Sequence, residues 1–349
     1  MTEPLPESPG SRPLAPSLPE STRPRPITPG PPPITPGLRP TTPGPLSTTP
    51  GLRPTTPGPL STTPGPRPLT HRPRLVPPPG SCDAHVHVFG PHAVFPYAAD
   101  RPYTPEDVPL ERLRELHRAL GFDRAVLVQP TCHGRDHSAL LDALRRGAGR
   151  YRGVALLDTA TDLPTLRRWH DAGMRGARVQ FTPASEPGRA EFARTLALVA
   201  ELGWHLDVHV IGTGILRFAD RLRAEGYRGR VVIDHMGRID PRDGPQRNTL
   251  LTLLDRGDTW VKLSAADRLA RRPPALDDAL RFARELFEHR PDRCVWGSDF
   301  PHPNTHGFIP DDADLVDGIS IVCHDESTLN RLLVENPAEC FDFPPVPNG

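Results

Sequence analysis

The chain has 349 residues, 48 of them Pro, and 42 Lys and Arg balance 42 Asp and Glu. The balance is uneven, because the residues before 80 hold eight Arg against three Glu, so the tail is mildly basic and the rest mildly acidic. Neither part carries the concentrated basic patch of a nucleic-acid binder, and no apolar run approaches the ~20 residues of a membrane helix or forms a signal-peptide core.

The first element in chain order is a Pro-rich tail, residues 1–79, in which the segment 37–50 (GLRPTTPGPLSTTP) recurs identically at 51–64. With few apolar groups to bury and many positions lacking a backbone donor, it is expected to be disordered with polyproline-II character. Its expected role is a spacer without a specific partner; docking of its TTPG repeats on an aromatic groove is the alternative, and would make the protein a scaffold. From residue 80 the texture changes. Strand-like runs are predicted at 82–88, 124–129, 152–157, 175–181, 204–210, 230–235, 259–264 and 293–298, with helix-like segments at 109–120, 137–147, 189–202, 213–225 and 275–289 between them. Leu110, Leu113, Leu116 and Leu120 show the helical spacing. Strands alternating with helices imply parallel pairing through right-handed crossovers. Eight such units, with no GxGxxG or Walker sequence at any junction, predict an α/β fold, a (β/α)8 TIM barrel over residues 80–349. Five Cys without CxxC spacing fit reduced thiols in a cytoplasmic protein. Exposed barrel helices leave a homo-oligomer open.

In such a barrel the reactive groups belong at the C-terminal strand ends. His85 and His87 fall there on strand 1, two apart and so on one face. Gln129 ends strand 2, Arg178 strand 4, His209 strand 5 and His235 strand 6, and Asp299 follows strand 8. A lone His at a strand end is more often structural than functional. Histidines on strands 1, 5 and 6 with Asp after strand 8 form a joint pattern that structure alone does not select. Imidazole and carboxylate together suit one divalent metal, Zn or Mn, or metal-free acid–base work.

The ordered motifs DAHVHVFGP (83–91), RPYTP (101–105), VLVQPTCHGRDHSALLDAL (126–144), RGARVQF (175–181), IDHMGR (233–238), VKLSAADRL (261–269) and WGSDFPHPN (296–304) resemble those of the amidohydrolase-related TIM-barrel hydrolases, in particular the 2-pyrone-4,6-dicarboxylate lactonase-like group. The resemblance implies hydrolysis of a lactone of a small anionic ring compound, as in aromatic-compound catabolism. Asp299 would be the general base, and His85, His87 and His235 would polarise the carbonyl and meet the oxyanion. It also implies that Arg178, Arg268 and Tyr103 hold substrate carboxylates.

Two positions depart from that pattern. The stretch after strand 4 reads FTPASEPGR, without the second Arg, and the strand-5 position that is Tyr in the lactonases is His209 here. His209 offers a ligand set of His85, His87, His209 and Asp299 for a metal, the feature of the alternative reading as a mononuclear metal-dependent amidohydrolase or non-oxidative decarboxylase. No Lys ends strand 4 to bridge two metals, so the expected cofactor is none or one divalent metal.

Overall fold

The computed structural model describes residues 62–305 and 307–345. Eight parallel strands run in sequence order: β1 (Cys82–Val86), β2 (Arg124–Val128), β3 (Tyr151–Ala155), β4 (Met174–Phe181), β5 (His205–Val210), β6 (Val231–Ile233), β7 (Thr259–Leu263) and β8 (Cys294–Trp296). The helices between them are α1 (Leu110–Leu120), α2 (Ser138–Gly147), α3 (Leu163–Asp171), α4 (Arg189–Glu201), α5 (Gly214–Ala224), α6 (Gly244–Asp255), the single turn α7 (Ala266–Leu269) and α8 (Asp277–His289). This is the TIM barrel that the alternation of strand and helix patterns predicts. The seam closes just past β8, where Asp299 N donates to His85 O at 2.9 Å and His87 N to Phe300 O at 2.8 Å. Gly297 permits that approach, since a Cβ there would lie 2.7 Å from His85 N.

Strand parity sorts the side chains. Ala177, Val179, Leu206, Val208, Val231, Ile233, Val261 and Leu263 pack outward in the large core shared with the helices. Val126, Val128, Val154, Val232, Trp260 and Val295 fill the lower interior with Phe341 and Phe343 of the C-terminal segment. That segment plugs the bottom of the barrel, and Arg124, Arg152 and Arg230 donate to its carbonyls. Higher up, the inward positions turn polar: Arg178 on β4, Asp207 and His209 on β5, Lys262 on β7. A strand that is apolar outside and mixed inside is what a barrel with chemistry at its mouth requires.

The expected tail boundary at residue 79 needs correction. Residues 62–79 run over the body: Arg67 Nη1 donates to Ile309 O at 3.2 Å, and Thr70 donates through N and Oγ1 to Asp311 Oδ2. Arg74 N and Leu75 N both donate to Asp317 Oδ1. Asp311 and Asp317 cap and end the short helix α9 (Asp312–Asp317), so fixed carboxylates supply the acceptors that composition alone could not foresee. The expectation for residues 1–61 lies outside the described residues. Among the described residues no helix is long and apolar enough to cross a membrane. All five Cys are buried and unpaired.

Candidate active site

The two β1 histidines reach the mouth through a bulge. The β1–β2 register advances three residues from Asp83 to Val86 against two from Ala125 to Leu127. The extra residue changes the parity, so Cys82 and Ala84 pack into the lower interior while Val86 joins the outer core. His85 and His87 are then free to point into the mouth.

There they meet Asp299. The Nε2 atoms of His87, His85 and His235 lie 3.6, 3.8 and 3.8 Å from Asp299 Oδ1. Asp299, at φ 66, and His235, at φ 53, occupy the left-handed region that non-glycine residues rarely adopt. Such backbone persists only where its surroundings over-determine it, and it is common at active sites. The second nitrogens are all engaged. His87 Nδ1 donates to Val128 O at 2.7 Å, and His235 Nδ1 lies 2.9 Å from Ser264 Oγ. His85 Nδ1 is 3.0 Å from Asp234 Oδ1 and 3.2 Å from Lys262 Nζ. A carbonyl only accepts, so neutral His87 carries its proton on Nδ1 and turns a lone pair toward Asp299. His85 Nδ1 lies between a carboxylate acceptor and an ammonium donor, which admit either tautomer.

Electrostatics keep these groups in their working states. Burial pulls the His85 imidazole down to about 4, and burial depresses His235 and His209 strongly. For Asp299 burial acts upward, but chiefly the Arg268 guanidinium outweighs it and holds the carboxyl well below its ordinary range. The site thus presents the neutral imidazoles of His85 and His235 beside an ionised carboxylate.

Those four donors fit one divalent metal. His85 Nε2 and Asp299 Oδ1 are buried without a hydrogen-bond partner, and His87 Nε2 turns a lone pair toward the same point. Three imidazoles and a carboxylate are a common donor set for Zn. Among the described residues the close groups of ligand atoms contain His85, His87, Asp234, His235 and Asp299, and not His209. His209 instead stands beside His235, ring centroids 5.6 Å apart, with its Nδ1 buried and unpartnered. His235 Nε2 comes within 3.8 Å of Asp299 Oδ1, whereas His209 makes no ion-pair approach to it.

Three other assignments change. Gln129 shares the outward parity of Leu127, and its amide donates to Gly134 O and Asp136 O, so it braces the loop after β2 instead of facing the cavity. Arg268 does not stand free for a substrate: Nε and Nη2 lie 3.1 and 3.0 Å from Asp299 Oδ2, and Nη2 donates to Pro303 O at 2.6 Å. Arg178 lies 2.8 Å from Asp234 Oδ2 and 3.5 Å from Asp207 Oδ1. Both arginines, with Tyr103 and His209, still line the cavity of about 270 Å³ above Asp299. A second compartment of about 320 Å³ shares Arg178 and Gln180 and extends the mouth toward Arg135.

Sequence reasoning missed the support beneath the mouth. Lys262 Nζ, fully buried, donates to Asp207 Oδ2 at 2.6 Å and lies 3.0 Å from Asp234 Oδ1. Burial and Asp234 push Asp207 upward, while Lys262 and Arg178 hold Asp234 down. A Lys in the apolar run TWVKL and an Asp two residues before His209 were the available signals. Arg238, which also lines the cavity, lay within IDHMGR but was given no role.

Comparison with known proteins agrees with the fold. The family model described as Amidohydrolase matches residues 82–343. The 4-sulfomuconolactone hydrolase of Hydrogenophaga intermedia is 37% identical over 276 residues, covering 77% of this chain and 90% of that protein. The 2-pyrone-4,6-dicarboxylate hydrolase of Comamonas testosteroni is 36% identical over 289 residues, covering 77% and 92%. An apo crystal structure from Agrobacterium tumefaciens superposes with a TM-score of 0.70 at 30% identity, covering 78% of this chain and all of that one.

Proposed function

The chain belongs to the amidohydrolase family, and from that premise we propose that it hydrolyses a lactone of a small, anionic, unsaturated ring acid. The carrying observation is the convergence of His85, His87 and His235 on Asp299 Oδ1 at the floor of a cavity lined by arginines. Two relatives named as lactone hydrolases, similar over most of the barrel, support the same chemistry.

The division of labour follows from the contacts. Arg268 fixes Asp299 through Oδ2, which leaves Oδ1 to accept a proton from water as its oxygen bonds to the lactone carbonyl carbon. The tetrahedral intermediate then breaks its ring C–O bond, and the proton on Oδ1 passes to the departing ring oxygen. Asp299 ends ionised, as it began. Tyr103 and the positive charge of the cavity wall orient the ring acid so that the carbonyl faces Oδ1. The metal that fits His85, His87, His235 and Asp299 would, when bound, polarise the carbonyl and lower the pKa of water.

The test pairs elemental analysis of the purified protein with assays on 2-pyrone-4,6-dicarboxylate and 4-sulfomuconolactone, before and after chelation. Ring opening of either lactone supports the reading, and no turnover of any lactone tested overturns it. Stoichiometric Zn or Mn with loss of activity on chelation selects the metal-dependent form; undiminished activity in metal-free protein rejects it.

A further inference from the structure

Three guanidinium groups line the cavity above Asp299, and two of them are already committed. Arg178 is paired with Asp234 and Asp207, and Arg268 with Asp299 and Pro303 O. Arg238 is different. Among the described residues no carboxylate comes within ion-pair distance of it, and its side chain makes no hydrogen bond.

The backbone that presents Arg238 is unusual. The turn after β6 holds four consecutive residues at positive φ: His235 at 53, Met236 at 52, Gly237 at 71 and Arg238 at 41. Each non-glycine residue held there is strained, because its Cβ crowds the backbone. Met236, buried, and the bond from Gly212 N to Arg238 O anchor the turn. One strained turn thus aims both His235 and Arg238 at the cavity.

A half-buried guanidinium on which Asp299 and Asp267 act only from beyond ion-pair distance is a costly arrangement. Burial and the neighbouring Arg268 lower the pKa of Arg238, which records the same cost. The loop after β4 adds only Thr182 and Ala184 to this wall, and no further cation.

We propose that Arg238 is the specificity-determining receptor for an anionic substituent on the substrate ring, a carboxylate or sulfonate held by its planar fork. The proposal rests on the lactone-hydrolase reading for the ring itself, but not for the binding of the anion. It assigns Arg178 and Arg268 to holding the protein's own carboxylates and gives substrate charge to Arg238.

The experiment is calorimetric titration of non-hydrolysable planar acids into the whole protein: benzoate, isophthalate and 3-sulfobenzoate. Wild type should bind at least one of the two dianions more tightly than benzoate by about 10- to 100-fold, the range of a charge-assisted hydrogen-bonded pair. The better dianion tells whether the substituent is carboxylate or sulfonate. Arg238→Gln should erase the difference between dianion and monoanion, and Arg238→Lys, which keeps charge but not the fork, should restore part of it. Thermal midpoints within a few degrees of wild type show that the variants fold. A wild type without preference for either dianion overturns the proposal. So does an Arg238→Gln protein that keeps the preference, or one that weakens all three acids equally. A protein that opens no lactone yet shows the Arg238-dependent preference would refute the hydrolase reading and leave this one standing.

Discussion

Arg268 Nε donates to Asp299 Oδ2 at 3.1 Å, and this bond decides which carboxylate oxygen faces the three imidazoles. A residue that the motifs suggest as a substrate clamp is instead a positioning residue for the base. The two roles separate kinetically. Arg268→Met should lower kcat by about 100-fold, the cost typical of misplacing a reacting group, with a much smaller change in KM. A rise confined to KM would return Arg268 to substrate binding.

Lys262 sits fully buried between Asp207 and Asp234 and 3.2 Å from His85 Nδ1. Removing one partner of a buried charge cluster leaves the rest uncompensated, at about 3–5 kcal/mol. Lys262→Met should lose stability on that scale in urea unfolding, and adding Asp207→Asn should recover part of it. Equal losses in the single and double variants would mean that the cluster is not electrostatically coupled.

Acid sensitivity should follow the buried histidines away from the mouth. His137 has its Nδ1 bonded to Arg135 O and its Nε2 accepting from Leu156 N, and burial pulls it down to about 4 from 6.5. As the pH falls through 6.5 the unfolded chain takes up a proton that the folded chain refuses. Stability therefore declines from about pH 6.5 to about pH 4, and the contribution is fully lost below that. Thermal midpoints measured across this range should fall with acidification. His137→Asn should show a shallower decline, and an identical slope would assign the sensitivity elsewhere.

Residues 62–76 belong to the folded body by their bonds to Asp311 and Asp317. A chain beginning at 62 should be more stable than one beginning at 77 by about 1–3 kcal/mol, the worth of a few partly exposed bonds to charged groups. Equal unfolding midpoints in urea would show the segment to be energetically idle.

How much of this could be read from the sequence depends on how local the cause is. The eight strands came within a few residues because apolar alternation is a local property. Helices α3 and α6 open on the turn-like Leu163-Pro164 and Asp243-Gly244-Pro245, and their place in a helix rests on a cap. In the structure Asp162 and Asp243 accept from Thr165 N and Gln246 N, and each Pro sits harmlessly in a first turn. His85, His87, His235 and Asp299 were legible because they end strands. Gln129 was misread because the parity of β2 turns it outward. Arg178 and Arg268 were identified as mouth residues but given the wrong partners, because Asp234, Asp207 and Asp299 approach them from other strands. The competing claims of those carboxylates exist only once the barrel closes.

The most direct test of the account is the turnover of a lactone that the wild type opens, measured with Asp299→Asn. The substitution keeps the size of the side chain and removes the acceptor that takes the water proton. A fall in kcat of at least about 100-fold, within the usual range for losing a general base, is the predicted result. Asp299→Asn protein that folds normally and opens the same lactone at the wild-type rate would contradict the assignment of the chemistry to this site.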